Sequence, residues 1–573
     1  MSSDAGPMQE FDAARRMTLD VQLARTARKA PDALAYVYGE RRMTFAELDE
    51  RVTRLANALA DRGVGRGDRV AVLMTNRIEV VESYLASSRL GAIVVPVNFR
   101  LVAEEVAYIL SHSGSVALVV NDELAELATT DRADAYDLKF VLQVGDAPLE
   151  EGAERYEGAL GAASAVVPVV EADDDDPAVI MYTSGTTGRP KGAVLSHHNL
   201  TMNTFNMIIE NRISTGDEVW LSGLPLFHIG GLNGILPYLM VGGTTVMLPT
   251  GNFDPALVVD LMERERVTGC YLVPTQWQQV CALPGIRERD LVLRRISWGA
   301  SMAPPSVLQA MAETFPGVPN SNAFGQTEMS SVTCVLPGEL AVEKMGSVGK
   351  PVVNVEARIV DDDMNDVPVG ETGEIVYRGP TVLQGYWNNP EANAEAFAGG
   401  WFHSGDLCRM DEDGFIYVVD RKKDMIISGG ENIYSAEVES VLDRHPKVAE
   451  VAVIGIPHER WVETPMAIVV PTDPDDPPTE EELVAHCREH LASYKKPGAV
   501  AIVESLPRNA AGKVLKTELR TRYRDEAGAP GEGASLVDGP GLPHRLTGSP
   551  VDPAEGSPPP FGSAPTSASA SAT

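Results

Sequence analysis

The sequence predicts an α/β protein with one large domain and one small domain. Strand-like and helix-like segments alternate along the first part of the chain, and a similar alternation returns after residue 420. This order indicates parallel sheets covered by helices. We therefore expect a large domain with parallel and mixed sheets over residues 1–420, a small α+β domain over residues 421–525, and a tail over residues 526–573.

The first helix signal is a capping box, Thr44-Phe45-Ala46-Glu47. In this motif the Thr and Glu side chains satisfy the free N–H groups at a helix start. Apolar residues then recur at spacings of three and four, which predicts a helix that stops at Gly63. Continuous apolar runs predict strands over residues 69–74 and 92–97, with a helix over residues 79–90 between them.

The later part of the chain repeats this pattern. The turn Asp411-Glu412-Asp413-Gly414 precedes a strand over residues 415–419. The following segments are helices over 437–444 and 480–491 and strands over 448–456 and 466–470. The charged run 420–424 lies between the two regions, so we place the domain boundary there.

Composition restricts the possible functions. The 573 residues include 44% hydrophobic and 23% charged residues, with 48 basic side chains against 81 acidic ones and a net charge of −33. This balance disfavours nucleic-acid binding and charge-driven docking on anionic membranes. No apolar run is long enough for a membrane span, and the N-terminus lacks an apolar signal-peptide core.

Cysteine usage and the last residues complete the domain prediction. The five cysteines show no metal-ligand spacing and are odd in number, so we expect neither a zinc site nor a disulfide framework, and a cytoplasmic location. Residues 526–573 include 17 Pro or Gly and one aromatic residue. Such a segment buries too little apolar area to offset its ordering entropy, so we expect a disordered tail.

A loop rich in hydroxyl groups and glycine is the strongest local feature. It has the sequence Tyr182-Thr183-Ser184-Gly185-Thr186-Thr187-Gly188-Arg189-Pro190-Lys191-Gly192 and follows a strand-like segment. Glycines let backbone N–H groups approach an anion, and a lysine adds charge, which suits a polyphosphate. The string is neither a Walker A loop nor a dinucleotide fingerprint. Composition alone also fits a flexible surface turn, but the complete string favours a phosphate loop, residues 183–188.

Six strings together resemble the adenylate-forming superfamily, which includes acyl-CoA synthetases, peptide-synthetase adenylation domains and luciferases. After the phosphate-loop string they are, in the family's order, Phe324-Gly325-Gln326-Thr327-Glu328, Trp401-Phe402-His403-Ser404-Gly405-Asp406, Asp420-Arg421-Lys422-Lys423-Asp424, Ser428-Gly429-Gly430-Glu431-Asn432-Ile433 and Pro507-Arg508-Asn509-Ala510-Ala511-Gly512-Lys513. The resemblance extends over roughly residues 15–525. It implies a large AMP-binding domain and a small mobile lid domain.

The resemblance implies a set of nucleotide contacts. Thr183, Ser184, Gly185, Thr186, Thr187 and Gly188 would hold the β- and γ-phosphates together with Lys191. Glu328 would bind Mg²⁺ and Thr327 would contact the α-phosphate. Adenine would lie against Gly299, Ala300, Ser301, Phe324 and Gly325, although the family usually has tyrosine where this chain has Phe324. Asp406 would bind the ribose hydroxyls, and Arg421 would support the ribose and phosphates.

The resemblance also assigns roles in the small domain. Lys513 would act in the adenylation step, Lys423 would be the hinge, and Ser428, Gly429 and Gly430 would line the tunnel for CoA. Hinge positions absorb backbone torsion changes, and glycines leave room for a thin pantetheine arm. Each lysine could instead be an ordinary solvated charge, an alternative that fits Lys516 better than Lys513.

The acid pocket is expected near His228 and Trp277. Adenylation domains for α-amino acids usually have an aspartate here, and residues 219–238 contain none, so an apolar acid without an α-amine is expected. His228 could orient the substrate or be a buried structural residue. Trp277 has a core residue as its main alternative, because buried tryptophans more often pack than bind ligands.

The function implied is an ATP-dependent acyl-CoA ligase that uses Mg²⁺ and CoA. A carboxylic acid would react with ATP to give an acyl-adenylate and pyrophosphate, and CoA would then displace AMP after the lid turns. Fatty, aryl and polycyclic acids all remain open, with fatty acids as the default. Two alternatives are an enzyme that loads a carrier protein and a non-catalytic protein that keeps the fold.

Overall fold

The computed structural model describes residues 15–129, 138–183, 190–214, 216–300, 303–428, 431–458, 461–508 and 513–524. The chain divides into two compact units, Met1–Val418 and Val419–Thr573. The tail predicted over residues 526–573 lies outside the described residues.

The strands are numbered β1 to β26 in chain order. Those that begin in the first unit are β1 Leu34–Tyr38, β2 Arg41–Thr44, β3 Arg69–Leu73, β4 Ile93–Pro96, β5 Ser115–Asn121, β6 Phe140–Val144, β7 Ala153–Arg155, β8 Pro177–Thr183, β9 Lys191–Ser196, β10 Val219–Ser222, β11 Thr244–Met247, β12 Gly269–Tyr271, β13 Arg295–Gly299, β14 Asn320–Gln326, β15 Ser331–Leu336, β16 Lys350–Pro351, β17 Glu356–Val360, β18 Gly373–Arg378, β19 Gly385–Tyr386, β20 Phe402–Met410 and β21 Ile416–Arg421. The second unit adds β22 Ile426–Ser428, β23 Glu431–Ile433, β24 Val448–His458, β25 Val462–Pro471 and β26 Ala499–Ile502.

The α-helices among the described residues are numbered in the same way. The first unit contains α1 Leu19–Lys29, α2 Phe45–Asp61, α3 Ile78–Arg89, α4 Ala103–Ser113, α5 Ala125–Thr129, α6 Tyr156–Ala162, α7 His197–Glu210, α8 Ile229–Val241, α9 Pro255–Arg264, α10 Pro274–Cys281, α11 Pro305–Thr314 and α12 Pro390–Ala396. The second unit contains α13 Ser435–Leu442, α14 Glu480–His490 and α15 Lys516–Arg524. None of these helices is both long enough and apolar enough to cross a lipid bilayer.

Two large mixed sheets form the body of the first unit. One has nine strands in the order β16-β15-β14-β13-β12-β10-β11-β1-β2, and the other has eight in the order β19-β9-β8-β4-β3-β5-β6-β7. Their central strands are parallel, whereas β9 and β15 pair antiparallel to their neighbours. A four-stranded sheet, β17-β18-β20-β21, completes the set. The predicted α/β class with parallel and mixed sheets is confirmed.

The helix predicted from the capping box is also confirmed. The Glu47 backbone N–H donates to Thr44 Oγ1 at 3.2 Å, and the Thr44 N–H donates to Glu47 Oε2 at 2.8 Å. Leu48, Val52 and Leu55 on the inner face of α2 are 0% exposed. The local cap and the apolar face therefore specify the same helix.

The second unit combines a sheet with three helices. Its strands have the order β23-β22-β25-β24, and β26 pairs parallel to β25. The helix predicted over residues 437–444 begins two residues earlier, at Ser435. The Ser435 N–H donates to Asp420 Oδ2 at 2.6 Å, so the helix start is satisfied by a carboxylate from outside the local sequence.

Candidate active site

A β-hairpin carries the two ends of the predicted phosphate loop. In the register of β8 and β9, Thr183 pairs with Lys191 and Tyr182 pairs with Gly192. A Cβ atom on Gly192 would lie 2.8 Å from Ile180 Cγ2, so the hairpin packs more closely than a larger residue allows. The hairpin thus brings Thr183 and Lys191 side by side. Ser184, Gly185, Thr186, Thr187 and Gly188 lie outside the described residues.

Two side chains of α4 hold the ends of this hairpin. The Tyr108 hydroxyl donates to the Pro190 carbonyl at 3.3 Å, and His112 Nδ1 forms a 2.8 Å hydrogen bond with the Tyr182 hydroxyl. Burial lowers the pKa of His112 and raises the pKa of Tyr182. Both groups are therefore neutral near pH 7, so the imidazole nitrogen can accept a hydrogen bond from the phenol.

Glu328 lies in the sharp turn between β14 and β15. A Cβ on Gly325 would lie 1.8 Å from the Ser331 carbonyl oxygen, so only glycine permits this approach. The turn directs the Glu328 carboxylate towards the hairpin, where Thr183 Oγ1 donates to Glu328 Oε1 at 3.3 Å. The Tyr386 hydroxyl donates to the same oxygen at 3.1 Å. The fold thus joins two predicted site residues that are 145 positions apart in the sequence.

These groups fit a magnesium ion that is shared with phosphates. Mg²⁺ in proteins usually takes one or two carboxylates, and substrate phosphates and water complete its octahedron. The described part of the chain contains no group of three or more His, Cys, Asp and Glu side chains that could hold a metal alone. A single carboxylate, Glu328, next to Thr183 at the end of the predicted phosphate loop fits the shared arrangement. Lys191 lies close by, with Nζ 5.2 Å from the centre of the Tyr386 ring.

The predicted adenine contacts lie at the ends of two parallel strands. Gly299 closes β13 and pairs with Ala323, the residue before Phe324 on β14. A Cβ on Gly299 would lie 2.2 Å from the Ala323 carbonyl oxygen, and Ala300 has a φ of 65°, so the chain turns sharply here. Ligands of parallel sheets bind at such carboxyl ends. Ser301 lies outside the described residues, and Thr327 is buried in the turn that follows Gly325.

Asp406 lies on β20 with 2% of its surface exposed. Burial is the main cause of the raised pKa of Tyr377, and the negative charge of Asp406 adds to it. The Thr333 hydroxyl hydrogen-bonds to the Tyr377 hydroxyl at 3.4 Å and to the Phe324 carbonyl at 3.2 Å. The charge of Asp406 acts on Tyr377, and Thr333 joins Tyr377 to Phe324, so both predicted nucleotide contacts belong to one region of the first unit.

Replacing Asp406 with asparagine should raise the dissociation constant for ATP by about 10- to 100-fold. A carboxylate accepts two charge-assisted hydrogen bonds from a cis-diol, each contributing about 1.5–3 kcal/mol, and the amide replaces one acceptor by a donor. Calorimetric titration measures the constant. Asp413→Asn, at an exposed surface carboxylate, is the matched control. An unchanged constant in a variant that keeps its melting temperature would contradict the ribose contact.

His228 lies at the start of α8 in an aromatic group. Its ring is 5.6 Å from Phe227, which meets Phe99 edge-on at 5.1 Å. Burial lowers the pKa of His228, and the positive charge of Arg100 lowers it further. The imidazole is therefore neutral near pH 7. It can orient a substrate by hydrogen bonding but does not act as its counter-ion.

Trp277 is packed in the core of the first unit. It is 0% exposed, its Nε1–H donates to the Ser297 carbonyl at 3.0 Å, and its ring meets Phe315 edge-on at 5.7 Å. A side chain with its polar atom satisfied and its faces covered acts in packing. Trp277 is therefore a core residue, and we do not include it in the proposed acid pocket.

The remaining predicted residues belong to the second unit. Arg421 ends β21, Lys423 and Lys513 are exposed, and Ser428 pairs with Glu431 in a short hairpin. Gly429 and Gly430 lie outside the described residues. The expectation that Lys516 is a solvated lysine is wrong. Its Nζ donates to Ser435 Oγ at 2.6 Å and forms a 2.7 Å ion pair with Glu439.

Sequence analysis missed Tyr386, Tyr108 and His112. Tyr386 lies in a two-residue strand, which is too short to give a periodic signal. Tyr108 and His112 are four positions apart on α4, the spacing of one helix face, but many surface helices show such pairs. Only their contacts in the folded structure, with the hairpin and with Glu328, distinguish these three residues from residues that merely pack.

Comparisons with known proteins agree with this geometry. The family model of the AMP-binding enzyme matches residues 23–387, and that of its C-terminal domain matches residues 437–513. A feruloyl-CoA synthase of Amycolatopsis sp is 42% identical over 501 residues, covering 87% of this chain and 98% of the relative. A 2-succinylbenzoate–CoA ligase of Geobacillus kaustophilus is 39% identical, covering 88% and 98%.

A solved structure is similar over most of the chain. The O-succinylbenzoate Coenzyme A synthetase of Bacillus subtilis in complex with ATP and magnesium ion has a TM-score of 0.78 and 34% identity, covering 87% of this chain and 99% of the other. The protein is accordingly an acid–thiol ligase that uses ATP, magnesium and CoA. The matches to both domain models show that this chain belongs to the AMP-binding, adenylate-forming enzyme family.

Proposed function

We propose that this acyl-CoA ligase activates an apolar carboxylic acid at the region formed by the β8–β9 hairpin, Glu328 and Asp406. The observation that carries the proposal is the shared contact of Thr183 and Tyr386 with one Glu328 oxygen. This contact supports Glu328 as the anionic ligand of the metal, next to Thr183 at the end of the predicted phosphate loop. Magnesium bound there would neutralise phosphate charge and orient the leaving group.

In the first half-reaction a carboxylate oxygen attacks the α-phosphorus of ATP. The bond between the α-phosphorus and the bridging oxygen breaks, and pyrophosphate leaves with that oxygen. Thr183 and Lys191 would hold the β- and γ-phosphates, Thr327 would contact the α-phosphate, and Asp406 would hold the ribose. Lys513 would meet the negative charge that develops as pyrophosphate leaves, because fixed cations are most effective where charge increases in the transition state.

In the second half-reaction the CoA sulfur attacks the acyl carbon. The bond from that carbon to the AMP oxygen breaks, AMP leaves, and the thiol proton passes to the surrounding solvent. We propose that residues 421–525 form the lid that turns between the two steps, with Lys423 as its hinge and Ser428, Gly429 and Gly430 along the CoA path. Arg421 would support the nucleotide from this domain.

The acid is proposed to carry an aromatic ring. The support is the aromatic group of Phe99, Phe227 and His228, in which Phe99 meets Phe227 edge-on at 5.1 Å and Phe227 and His228 are tilted at 5.6 Å. Aromatic ligands pack favourably against such rings. Two relatives also have names that refer to feruloyl and succinylbenzoate groups. We further propose a cytoplasmic location, supported by five cysteines that are all free thiols.

A panel of acids tests this proposal. Pyrophosphate release is measured with CoA for aryl-propenoic, aryl-acetic, benzoic and C6 to C16 fatty acids, and thioesters are identified by mass spectrometry. We expect kcat/KM for the best aryl acid to exceed that for any fatty acid. A higher value for a fatty acid would contradict the aryl preference. An acyl product found only on a holo carrier protein, and not on CoA, would contradict CoA as the acceptor of the acyl group.

A further inference from the structure

Tyr386 lies at the edge of the eight-stranded sheet, beside the hairpin of the candidate site. It belongs to β19, where Gly385 pairs with Val194 and Tyr386 pairs with Ala193 of β9. The Trp387 N–H then donates to the Gly192 carbonyl at 2.8 Å. The backbone of this short strand is therefore tied to the residues that directly follow Lys191.

The Tyr386 backbone is also held from its other side. Its N–H donates to Asn393 Oδ1 at 2.6 Å, and Asn393 Nδ2 donates back to the Tyr386 carbonyl at 3.2 Å. Asn393 belongs to α12, whose start is capped by Asn389. Two hydrogen bonds with one side-chain amide therefore fix the tyrosine backbone, independently of the contacts that the tyrosine side chain makes.

The side chain meets two predicted site residues at once. Its hydroxyl donates to Glu328 Oε1 at 3.1 Å, and the Lys191 ammonium lies 5.2 Å from the ring centre. The first contact orients a carboxylate, and the second orients a cation by its attraction to the ring. The tyrosine thus joins Glu328, in the turn after β14, to Lys191, at the start of β9, in addition to the Thr183 hydrogen bond to Glu328.

The Tyr386 hydroxyl donates to one oxygen of the Glu328 carboxylate, Oε1. A donor on Oε1 leaves Glu328 Oε2 available to a cation, because a carboxylate accepts at both oxygens. Tyr386 can therefore hold Glu328 in place without competing for the metal.

We propose that Tyr386 is a positioning residue that sets Glu328 and Lys191 in one geometry for Mg²⁺ and the ATP phosphates. This inference rests on the proposed role of Glu328 in binding magnesium. It goes beyond that role because it names Tyr386 as the residue that sets the distance between Glu328, the proposed metal ligand, and Lys191, the cation proposed to bind the phosphates.

The test uses the full chain and a variant that removes one oxygen. Tyr386→Phe keeps the ring and its contact with Lys191 but removes the bond to Glu328. The Mg²⁺ concentration for half-maximal acid-dependent ATP–pyrophosphate exchange should rise about tenfold, because a hydrogen bond to a charged group is lost. The KM for the acid should stay unchanged. Tyr386→Leu removes the ring as well, and should also weaken ATP binding measured without magnesium.

Tyr417→Phe is the matched control. Its hydroxyl also donates to a carboxylate, Asp411 Oδ2 at 3.3 Å, which is not among the residues proposed to bind magnesium or phosphate. The control should keep the wild-type magnesium dependence. An equal shift in both variants would overturn the inference, since it would show a general effect of removing a phenol.

A double variant distinguishes this inference from the proposed function. In a Glu328→Gln background, adding Tyr386→Phe should change the magnesium dependence less than about twofold, because the two residues act through one contact. Independent, multiplying effects would overturn the positioning role. A shift with Glu328→Gln but none with Tyr386→Phe would reject the inference alone. Wild-type magnesium dependence in Glu328→Gln would reject the metal role and the inference together.

Discussion

Replacing Lys513 with alanine should lower acid-dependent ATP–pyrophosphate exchange by about 10²–10³-fold. The loss is expected because the variant removes a cation that meets charge developing on the departing pyrophosphate. Formation of the thioester from supplied acyl-adenylate and CoA should remain near the wild-type rate, since that step releases AMP and no pyrophosphate. Both rates are measured with the same enzyme preparation.

Stability provides the internal control for this prediction. Lys513 is exposed, and substitutions at exposed positions usually change stability by less than about 0.5 kcal/mol, so the melting temperature should change little. Lys29→Ala, at an exposed lysine in the last turn of α1, should retain full activity. Exchange at the wild-type rate in Lys513→Ala would remove this lysine from the adenylation step.

Lys516→Ala, in contrast to Lys513→Ala, should lower the stability of the second unit. Its Nζ lies between Ser435 Oγ and Glu439 Oε1, so the variant leaves a half-buried carboxylate without its cation. We expect a loss of roughly 1–3 kcal/mol in the free energy of unfolding of the second unit. Urea denaturation measures the loss, and an unchanged midpoint would show that the ion pair contributes nothing.

Replacing Glu328 with glutamine should reduce ATP–pyrophosphate exchange by about 100-fold or more at ordinary magnesium concentrations. Glutamine keeps the shape of the side chain and can still accept from Thr183 and Tyr386, but it has no negative charge. Mg²⁺ is a hard cation that prefers anionic oxygen, so much more magnesium should be needed for half-maximal rate. Titration with magnesium at fixed ATP gives this concentration directly.

A surface acid on the same unit serves as the control. Glu339→Gln removes an exposed carboxylate that pairs with Arg212 and should leave the magnesium dependence unchanged. If Glu328→Gln required no more magnesium than the wild type, another group would have to hold the metal.

Local sequence correctly predicted those features whose determining residues lie within a few positions of one another. The Thr44 and Glu47 capping box predicted a helix because the two side chains bond to backbone groups three positions away. Continuous apolar runs predicted the buried strands, and apolar residues spaced three and four positions apart predicted the helix. The six strings identified the family for a similar reason, since each is a contiguous segment whose residues together suit one ligand.

Long-range contacts explain where sequence analysis failed. Lys516 was expected in solvent, yet its Nζ donates to Ser435, 81 positions away, and pairs with Glu439, on the same helix as Ser435. The start of α13 moved to Ser435 because Asp420 reaches its N–H group. Trp277 gave no local sign of whether its ring faces a ligand or the core.

The sequence by itself determined the α/β class, the family and the acyl-CoA ligase chemistry. Only the tertiary structure decided which side chains meet. The register of β8 with β9 sets Thr183 beside Lys191, and the close turn at Gly325 brings Glu328 to them. Tyr386 joins this group from a two-residue strand. Backbone preferences act over a few residues, whereas distances between side chains depend on sheet register and packing across the whole unit.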